Sequence, residues 1–386
     1  MTPAARASAA IEILDRIQAV APAEAVLTTW ARGNRYAGSG DRAAIRDLVY
    51  DVLRRRSSCA IRGGGTTGRA LLIGHCRAQG IDLNSIFTGE RFAPAPLTGP
   101  EAAGGAMPSG ADALDVPAWL APDLMHSLGA DYAPVMAAQQ MRAPVFLRVN
   151  LRKASTDDAI AALAREGIVA QPHPLVKTSL EVTENARKIQ NSTAYGSGLV
   201  ELQDASSQAA IASLPLRDGM RVLDYCAGGG GKVLAMAALA EGRYFAHDID
   251  AGRMRDLPAR AARAGAKVTI LPPGTASGRY DLVLVDAPCS GSGTWRRTPD
   301  AKWRLTRDRL NELIGVQREI LEQAAVLLAP GGVLAYMTCS LLEAENIAQV
   351  EWVAQRFSCT LRHAARFLPP DGGDGFFVAC LDAPAP

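Results

Sequence analysis

From residue 205 onward, apolar runs with the character of strands alternate with amphipathic helical runs, and this alternation constrains the fold more than any other feature of the sequence. The predicted strands are RVLDYC, RYFAHDI, KVTIL, YDLVLVDAP, VLAYMTCS and GFFVACL. Such nearly continuous apolar strands are typical of a parallel sheet that is covered by helices on both faces. In these sheets ligands bind beyond the carboxyl ends of the strands. The pattern therefore predicts an α/β domain with its site at those ends.

The chain upstream divides into three further segments by composition and periodicity. Residues 1–91 are predicted to form an all-helical domain, with Ile11, Leu14, Ile17 and Val20 at helical spacing near its start. Residues 92–115 are rich in Pro, Gly and Ala and are predicted to be a linker. Residues 116–204 are predicted to be a small α/β unit, and 205–386 the larger α/β domain.

Composition excludes some classes of protein. Hydrophobic residues make up 48% of the chain and charged residues 21%, which is ordinary for a soluble domain. No apolar run reaches the roughly 18 residues of a membrane helix, and the N-terminus lacks a signal-like apolar core, so we expect a cytoplasmic protein. The seven cysteines include no CxxC pair, so neither a metal site nor a disulfide framework is expected.

Positive charge is concentrated in two segments, although the net charge is only +2. Residues 1–91 hold 13 Arg against 8 Asp and Glu, and RRTPDAKW, at 296–303, is a second basic cluster. Clusters of this kind contact phosphates in nucleic-acid-binding proteins, but they also occur as solvated surfaces.

Two predicted strands lead directly into cysteines. LVLVDAPCSGSG carries Cys289 just after its strand, and VLAYMTCS carries Cys339 in the same relation to the next predicted strand. A cysteine at the end of a strand is usually a small packing residue. Two such cysteines at the edge where a parallel sheet binds ligands indicate a site that uses thiol chemistry.

A run of four glycines follows the first strand of the large domain, in DYCAGGGGK. Glycines at that point allow a ligand to approach the backbone closely. The second strand ends in HDID, where an acid can accept hydrogen bonds from a ribose. The run matches neither GxGxxG nor a P-loop, so these residues leave a nicotinamide dinucleotide and S-adenosylmethionine both open.

The motifs taken together resemble the RNA cytosine-5 methyltransferases of the Sun/Fmu/Nop class, in particular their bacterial 16S ribosomal RNA branch. The resemblance rests on VLDYCAGGGGK, the HDID acid, LVDAPCSGSGTWRRTPDAKW, APGG, YMTCSLLEAEN and DGFFVACL, in consistent order over about 200–386. RVNLRK and ELQDASSQAA resemble the family's upstream segments. The resemblance implies a Rossmann-like methyltransferase domain with a mostly parallel seven-stranded sheet, preceded by a small RRM-like α/β unit and a NusB-like helical domain that binds RNA.

The resemblance also implies roles for individual residues. Cys339 is expected to be the nucleophile that adds to carbon 6 of cytosine, Cys289 to assist product release, and Asp286 to lie near the base and the methyl donor. Lys232 is expected to favour the thiolate. Contacts to S-adenosylmethionine are expected from Cys226, Ala227, Gly228, Gly229, Gly230, Gly231, Lys232, Asp286 and, at the ribose, Asp248, with Asp250 as the alternative. Phosphate or other RNA contacts are expected from Arg296, Arg297, Lys302, Arg148 and Asn150.

The sequence departs from the family pattern at the glycine run, which usually reads CAAPGGK, and it lacks an acid after the third strand.

The leading prediction is methylation of ribosomal RNA by a monomer. The alternatives are the same chemistry on transfer RNA, or an RNA-binding or ribosome-assembly factor with a degenerate cofactor site. A dehydrogenase would leave the paired cysteines unexplained.

Overall fold

The computed structural model describes residues 1–18 and 21–384, which form two compact units. One unit consists of residues 1–142 and 295–306, and the other of residues 143–294 and 307–386. Val20, predicted to lie on the first helix, is outside the described residues.

The first unit is helical, as predicted for its N-terminal part. Its helices are α1 (Pro3–Gln18), α2 (Ala23–Gly33), α3 (Ser39–Arg54), α4 (Arg56–Gly63), α5 (Gly68–Ala78), α6 (Leu83–Ile86), α7 (Gly99–Ala103), α8 (Gly110–Ala113), α9 (Ala121–Leu128) and α10 (Tyr132–Gln139). The apolar faces of α1, α2, α3 and α5 meet in one core around Ile13, Leu14 and Val49. The likeness to a NusB domain stays a prediction.

The predicted linker is folded onto the helical unit rather than open. It forms α7 and α8, and Glu101 pairs with the Arg69 guanidinium at 2.7 Å. The buried Asp115 carboxylate accepts hydrogen bonds from the backbone N–H of Ser58 at 2.8 Å and from the Gln140 amide at 2.8 Å. These contacts are long-range, and composition alone could not reveal them.

The second unit contains two sheets. The smaller one has strand order β2-β3-β1-β4 and is antiparallel; its strands are β1 (Val145–Val149), β2 (Val169–Pro172), β3 (Ser179–Glu184) and β4 (Val200–Leu202), with helices α11 (Thr156–Arg165) and α12 (Thr193–Gly196). Helix α11 begins with a capping box between Ser155 and Asp158, as the STDD sequence predicts. Helix α13 (Ala205–Ala212) leads into the larger sheet.

The larger sheet is seven-stranded, with order β10-β11-β9-β8-β5-β6-β7. Its strands are β5 (Met220–Asp224), β6 (Gly242–Ala246), β7 (Val268–Ile270), β8 (Tyr280–Asp286), β9 (Leu328–Thr338), β10 (Thr360–Phe367) and β11 (Phe376–Asp382). Strands β5 to β9 pair in parallel, and β10 and β11 are antiparallel additions at the β9 side. The predicted Rossmann-like fold is confirmed.

Successive residues of the central strands point to opposite faces of this sheet, and both faces are buried. Val222 and Leu282 pack with helix α14 (Gly231–Leu239) and helix α15 (Leu257–Ala264). Leu223 and Val283 pack on the other face, against α17 (Arg307–Ala325) and α18 (Ile347–Phe357). Burial on both sides explains why these strands read as continuous apolar runs.

The segment 295–306 is part of the helical unit, although the residues before and after it belong to the sheet-containing unit. It contains α16 (Pro299–Arg304), and its Trp303 indole donates to the Leu53 carbonyl at 2.7 Å.

Among the helices of the described chain, none combines the length and hydropathy needed to cross a membrane.

Candidate active site

The two cysteines singled out in the sequence lie side by side. Cys289 follows β8 and Cys339 follows β9, which are parallel neighbours with Asp286 opposite Met337. Their Sγ atoms are 3.5 Å apart, and both thiols are free. Because the two strands end at the same edge of the sheet, residues 50 positions apart in the chain meet at one point.

The hydrogen bond to Cys339, together with burial, raises the pKa of the Cys289 thiol well above its ordinary value. Either sulfur can be the donor across the 3.5 Å contact, and the raised pKa favours the arrangement in which the Cys289 S–H donates to Cys339. A thiol donor of this kind stabilises a thiolate on its partner.

Glu345 connects the two cysteine loops and was not singled out from the sequence, although it lies within the EAEN of the motif. Its buried carboxylate accepts hydrogen bonds from the Ser290 backbone N–H at 2.8 Å, from the Ser290 hydroxyl at 2.5 Å and from the Ser340 hydroxyl at 2.6 Å. The Gln317 amide donates to it at 3.0 Å. Each cysteine is thus followed directly by a serine that the same carboxylate holds.

A cavity of about 360 Å³ opens beside Cys339 at the carboxyl end of the sheet. It is lined by Gln203, Asp204, Ser207, Cys226, Ala227, Gly228, Gly229, Gly231, Lys232, Arg253, Arg260, Asp286, Thr294, Cys339, Asp374 and Phe376. The cavity thus brings most of the predicted cofactor residues together with Asp286 and Cys339. Gly230 packs beneath the loop instead, where a Cβ would collide with the Leu257 side chain.

The glycine run forms a tight connection from β5 into α14. Gly228 and Gly230 have φ of 51° and 82°, a region that side-chain-bearing residues rarely adopt. Three of these glycines line the cavity, so no Cβ keeps a ligand away from the backbone there.

Lys232 and Asp286 form an ion pair at the cavity wall, with 2.5 Å between Nζ and Oδ2. Burial alone would lower the pKa of Lys232, but the charge of Asp286 and its hydrogen bond outweigh this and raise the pKa. Burial raises the pKa of the Asp224 carboxyl to about 7, although the positive charge of Lys232 opposes this increase. Burial also raises the pKa of the Cys226 thiol, which keeps that cysteine protonated.

The buried Asp248 carboxylate binds the backbone of the glycine loop. The carboxylate accepts hydrogen bonds from the backbone N–H of Gly228 at 2.9 Å and of Asp250 at 3.0 Å, and the residue is 1% exposed. Asp250 is exposed and caps the following turn through the Gly252 N–H at 2.8 Å. A ribose contact from Asp248 stays a prediction.

Four of the five residues predicted to contact RNA are buried, which contradicts their presentation to a phosphate. Arg148 and Asn150 are each 5% exposed, and the Asn150 amide donates to the carbonyls of Gly198 and Ala264. Lys302 donates to the Arg54 carbonyl at 3.2 Å, and Arg296 is equally enclosed in the helical unit.

Burial lowers the pKa of Lys302 to about 8 and that of Arg148 to about 10. Arg297 is half-buried, and its RNA contact stays a prediction. The basic run at 296–303 was predicted to contact phosphates because local composition cannot reveal that the segment packs within the helical unit.

Comparison with known proteins identifies the family. Residues 211–382 match the profile described as 16S rRNA methyltransferase RsmB/F, and residues 116–189 match the ferredoxin-like domain of RsmF/B-like methyltransferases. Ribosomal RNA small subunit methyltransferase B of Erwinia tasmaniensis is 34% identical over 283 residues, or 69% of this chain and 66% of that protein. The matched region therefore spans just under two thirds of that relative.

Solved structures share the fold. The crystal structure of PH0851 has a TM-score of 0.74 at 22% identity and covers 99% of both chains. A methyltransferase homologue from Pyrococcus horikoshii has a TM-score of 0.61 at 26% identity, covering 70% of this chain and 96% of its own. From the two matched profiles and the similarity to curated relatives, the chain belongs to the RsmB/F family of 16S rRNA methyltransferases.

Proposed function

We propose that this protein methylates carbon 5 of a cytosine in 16S ribosomal RNA, with S-adenosylmethionine as methyl donor. The observation that carries the proposal is the 3.5 Å approach of the Cys289 and Cys339 sulfurs beside a glycine-walled cavity. The family's relatives are ribosomal RNA small subunit methyltransferases, which supports the choice of substrate.

The cavity fits the cofactor that the family uses. Its wall includes Gly228 and Gly229, which have no side chains, and the acidic Asp286 and Asp374 line it together with basic residues. This combination suits a ligand that carries both charge signs. When bound, S-adenosylmethionine supplies an electrophilic methyl group on its sulfonium.

Cys339 is the nucleophile in this proposal. Carbon 5 of cytosine is a poor nucleophile until a thiolate adds to carbon 6, which breaks the aromatic conjugation and makes carbon 5 enamine-like. Cys339 lines the cavity, and its sulfur is the one that the Cys289 thiol can stabilise as an anion. The Lys232 ammonium adds positive charge to the same site.

Asp286 and Lys232 hold the proton that the adduct needs. Adding sulfur at carbon 6 puts electron density on the ring and its nitrogen 3. A proton shared along the 2.5 Å contact between Lys232 and Asp286 can be donated to that nitrogen.

Cys289 assists release of the product. After methyl transfer, the Asp286 carboxylate in this proposal takes the proton from carbon 5. The electron pair of that C–H bond forms the double bond between carbons 5 and 6, and the pair of the carbon 6–sulfur bond leaves on Cys339, which restores the aromatic ring. The Cys289 S–H then donates to the departing Cys339 thiolate and makes it a better leaving group.

Mapping of 5-methylcytosine tests the proposal. RNA from a strain that lacks the gene should lose one 16S methylcytosine, and the purified protein with labelled S-adenosylmethionine should restore it. Loss from transfer RNA with unchanged 16S RNA would contradict the substrate. Calorimetry that detects no S-adenosylmethionine binding would favour a degenerate RNA-binding factor instead.

A further inference from the structure

The sulfurs of Cys289 and Cys339 are close enough to be joined by a small movement. Their Sγ atoms are 3.5 Å apart, whereas a disulfide bond is about 2 Å long. Both thiols are free, and each side chain is half-buried. Because only about 1.5 Å separates the contact from a bond, rotation of the two side chains can close the gap while the backbone stays in place.

The backbone around the two cysteines is held by shared hydrogen bonds. Glu345 accepts hydrogen bonds from the hydroxyl groups of Ser290 and Ser340, at 2.5 Å and 2.6 Å. The Gly293 N–H also donates to the Cys339 carbonyl, at 2.9 Å, and so links the two loops directly. The loops are therefore held side by side, and joining the sulfurs requires no rearrangement of either one.

Cys339 has the properties of a thiol that reacts with peroxides. It lines a cavity of about 360 Å³, which admits a molecule as small as hydrogen peroxide. Peroxides oxidise the thiolate form, and the Cys289 S–H and the Lys232 ammonium both favour an anion on Cys339. An oxidised cysteine forms a disulfide when a second thiol lies within reach, and Cys289 is that thiol.

We propose that Cys289 and Cys339 form a reversible disulfide on exposure to hydrogen peroxide, and that this bond switches methyl transfer off. The effect on methyl transfer rests on the proposed function, because it presumes that both sulfurs take part in catalysis. Formation of the bond rests on the geometry of the two loops alone. RNA methylation by this protein then responds to oxidants.

The chemistry consumes one peroxide for each disulfide. The Cys339 thiolate attacks one oxygen of hydrogen peroxide, the O–O bond breaks, and hydroxide leaves with the bonding pair, which gives a sulfenic acid on Cys339. The Cys289 sulfur then attacks the Cys339 sulfur as its own S–H bond breaks. The S–O bond breaks, and the departing hydroxide takes up that proton as water. The two sulfurs lose two electrons, and the peroxide becomes two water molecules once the first hydroxide takes the proton that Cys339 released.

Mass spectrometry of the purified protein, first reduced and then treated with hydrogen peroxide, tests the proposal. The mass should fall by two hydrogen atoms, and proteolysis should give a pair of peptides joined through Cys289 and Cys339. Methyl transfer to RNA should fall in proportion to the joined fraction, and dithiothreitol should restore both mass and activity. Cys359→Ala removes a buried thiol that is not among the residues lining the cavity, and this control should form the same bond.

The variant Cys289→Ala distinguishes a disulfide from simple oxidation of the nucleophile. Without Cys289, the sulfenic acid on Cys339 has lost the thiol 3.5 Å away and should proceed to the sulfinic acid. The mass should then rise by two oxygen atoms, and dithiothreitol should not reverse the change. This readout is the mass alone, so it does not depend on the activity of the variant.

Three results would overturn the proposal. The first is a wild-type protein that shows no joined peptides, whether its mass stays unchanged or Cys339 proceeds to the sulfinic acid. The second is a bond from Cys339 to a different cysteine, such as Cys226 on the same cavity wall. The third is a disulfide that leaves methyl transfer unchanged. A protein that forms the bond but methylates no RNA even when reduced would instead refute the proposed function, which is a separate outcome.

Discussion

The Glu345 carboxylate accepts a hydrogen bond from the backbone N–H of Ser290, 2.8 Å away, although the two residues are 55 positions apart. The same buried carboxylate holds the Ser340 hydroxyl at 2.6 Å. Ser290 and Ser340 are the immediate neighbours of Cys289 and Cys339, so one side chain fixes the relative position of both loops. The distance between the sulfurs depends on this carboxylate.

Replacement of Glu345 by Ala should therefore separate the cysteines and destabilise the protein. The change removes several charge-assisted hydrogen bonds at a buried site and should lower the free energy of unfolding by about 2–4 kcal/mol, as measured by urea denaturation. Glu351→Ala, at an exposed acid in the following helix α18, is the control and should change stability by less than about 0.5 kcal/mol. Equal stability of the two variants would contradict the bridging role.

Replacement of Cys339 by Ala should abolish methyl transfer, because no thiolate remains to add to carbon 6 of the base. Incorporation of labelled methyl groups into RNA should fall at least about a thousandfold, while titration should detect unchanged binding of S-adenosylmethionine. Cys359→Ala removes a buried thiol that is not among the residues lining the cavity, and it should retain activity. Residual turnover close to that of the wild type would exclude Cys339 as the nucleophile.

Replacement of Cys289 by Ala should have a different effect from loss of Cys339. The Cys339 adduct can still form, but its thiolate loses the S–H donor 3.5 Å away that aids its departure. Enzyme should accumulate on RNA as a complex that survives denaturing electrophoresis and requires both S-adenosylmethionine and Cys339. If no such complex forms, or if it also forms in the double variant with Cys339→Ala, the assignment of roles is wrong.

The sequence predicted that the two cysteines meet at one edge of the sheet, because their position follows from the ends of the strands. LVLVDAPCSG and VLAYMTCS identify buried neighbouring strands, and a parallel arrangement then brings Cys289 and Cys339 to one edge. Strand β10 was missed because TLRHAARF is a mostly exposed edge strand without apolar alternation. The sequence predicts the VLAYMTCS strand from Val333, whereas β9 begins earlier, at Leu328, and includes the Pro-Gly-Gly at 330–332.

Long-range packing was beyond what local sequence could predict. Glu345 resembles any acid in a polar turn until its partners from two other segments are known. Lys302 and Arg296 carry the charge that suggests RNA binding, yet both are enclosed by helices that precede them by more than 150 residues. Charge in a sequence indicates what a residue can bind, whereas burial decides whether it is accessible.

Lys302 should make stability depend on pH in a defined window. Burial lowers its pKa to about 8 in the folded protein, against 10.5 for an unperturbed lysine. Between these two values the unfolded chain binds more protons than the folded protein, so the free energy of unfolding should rise with pH across that window, by up to about 3 kcal/mol. Lys302→Met should lack this rise. Urea denaturation of both proteins at pH 7.5 and pH 10 gives the difference directly, and parallel pH dependences would show that Lys302 titrates as an exposed lysine.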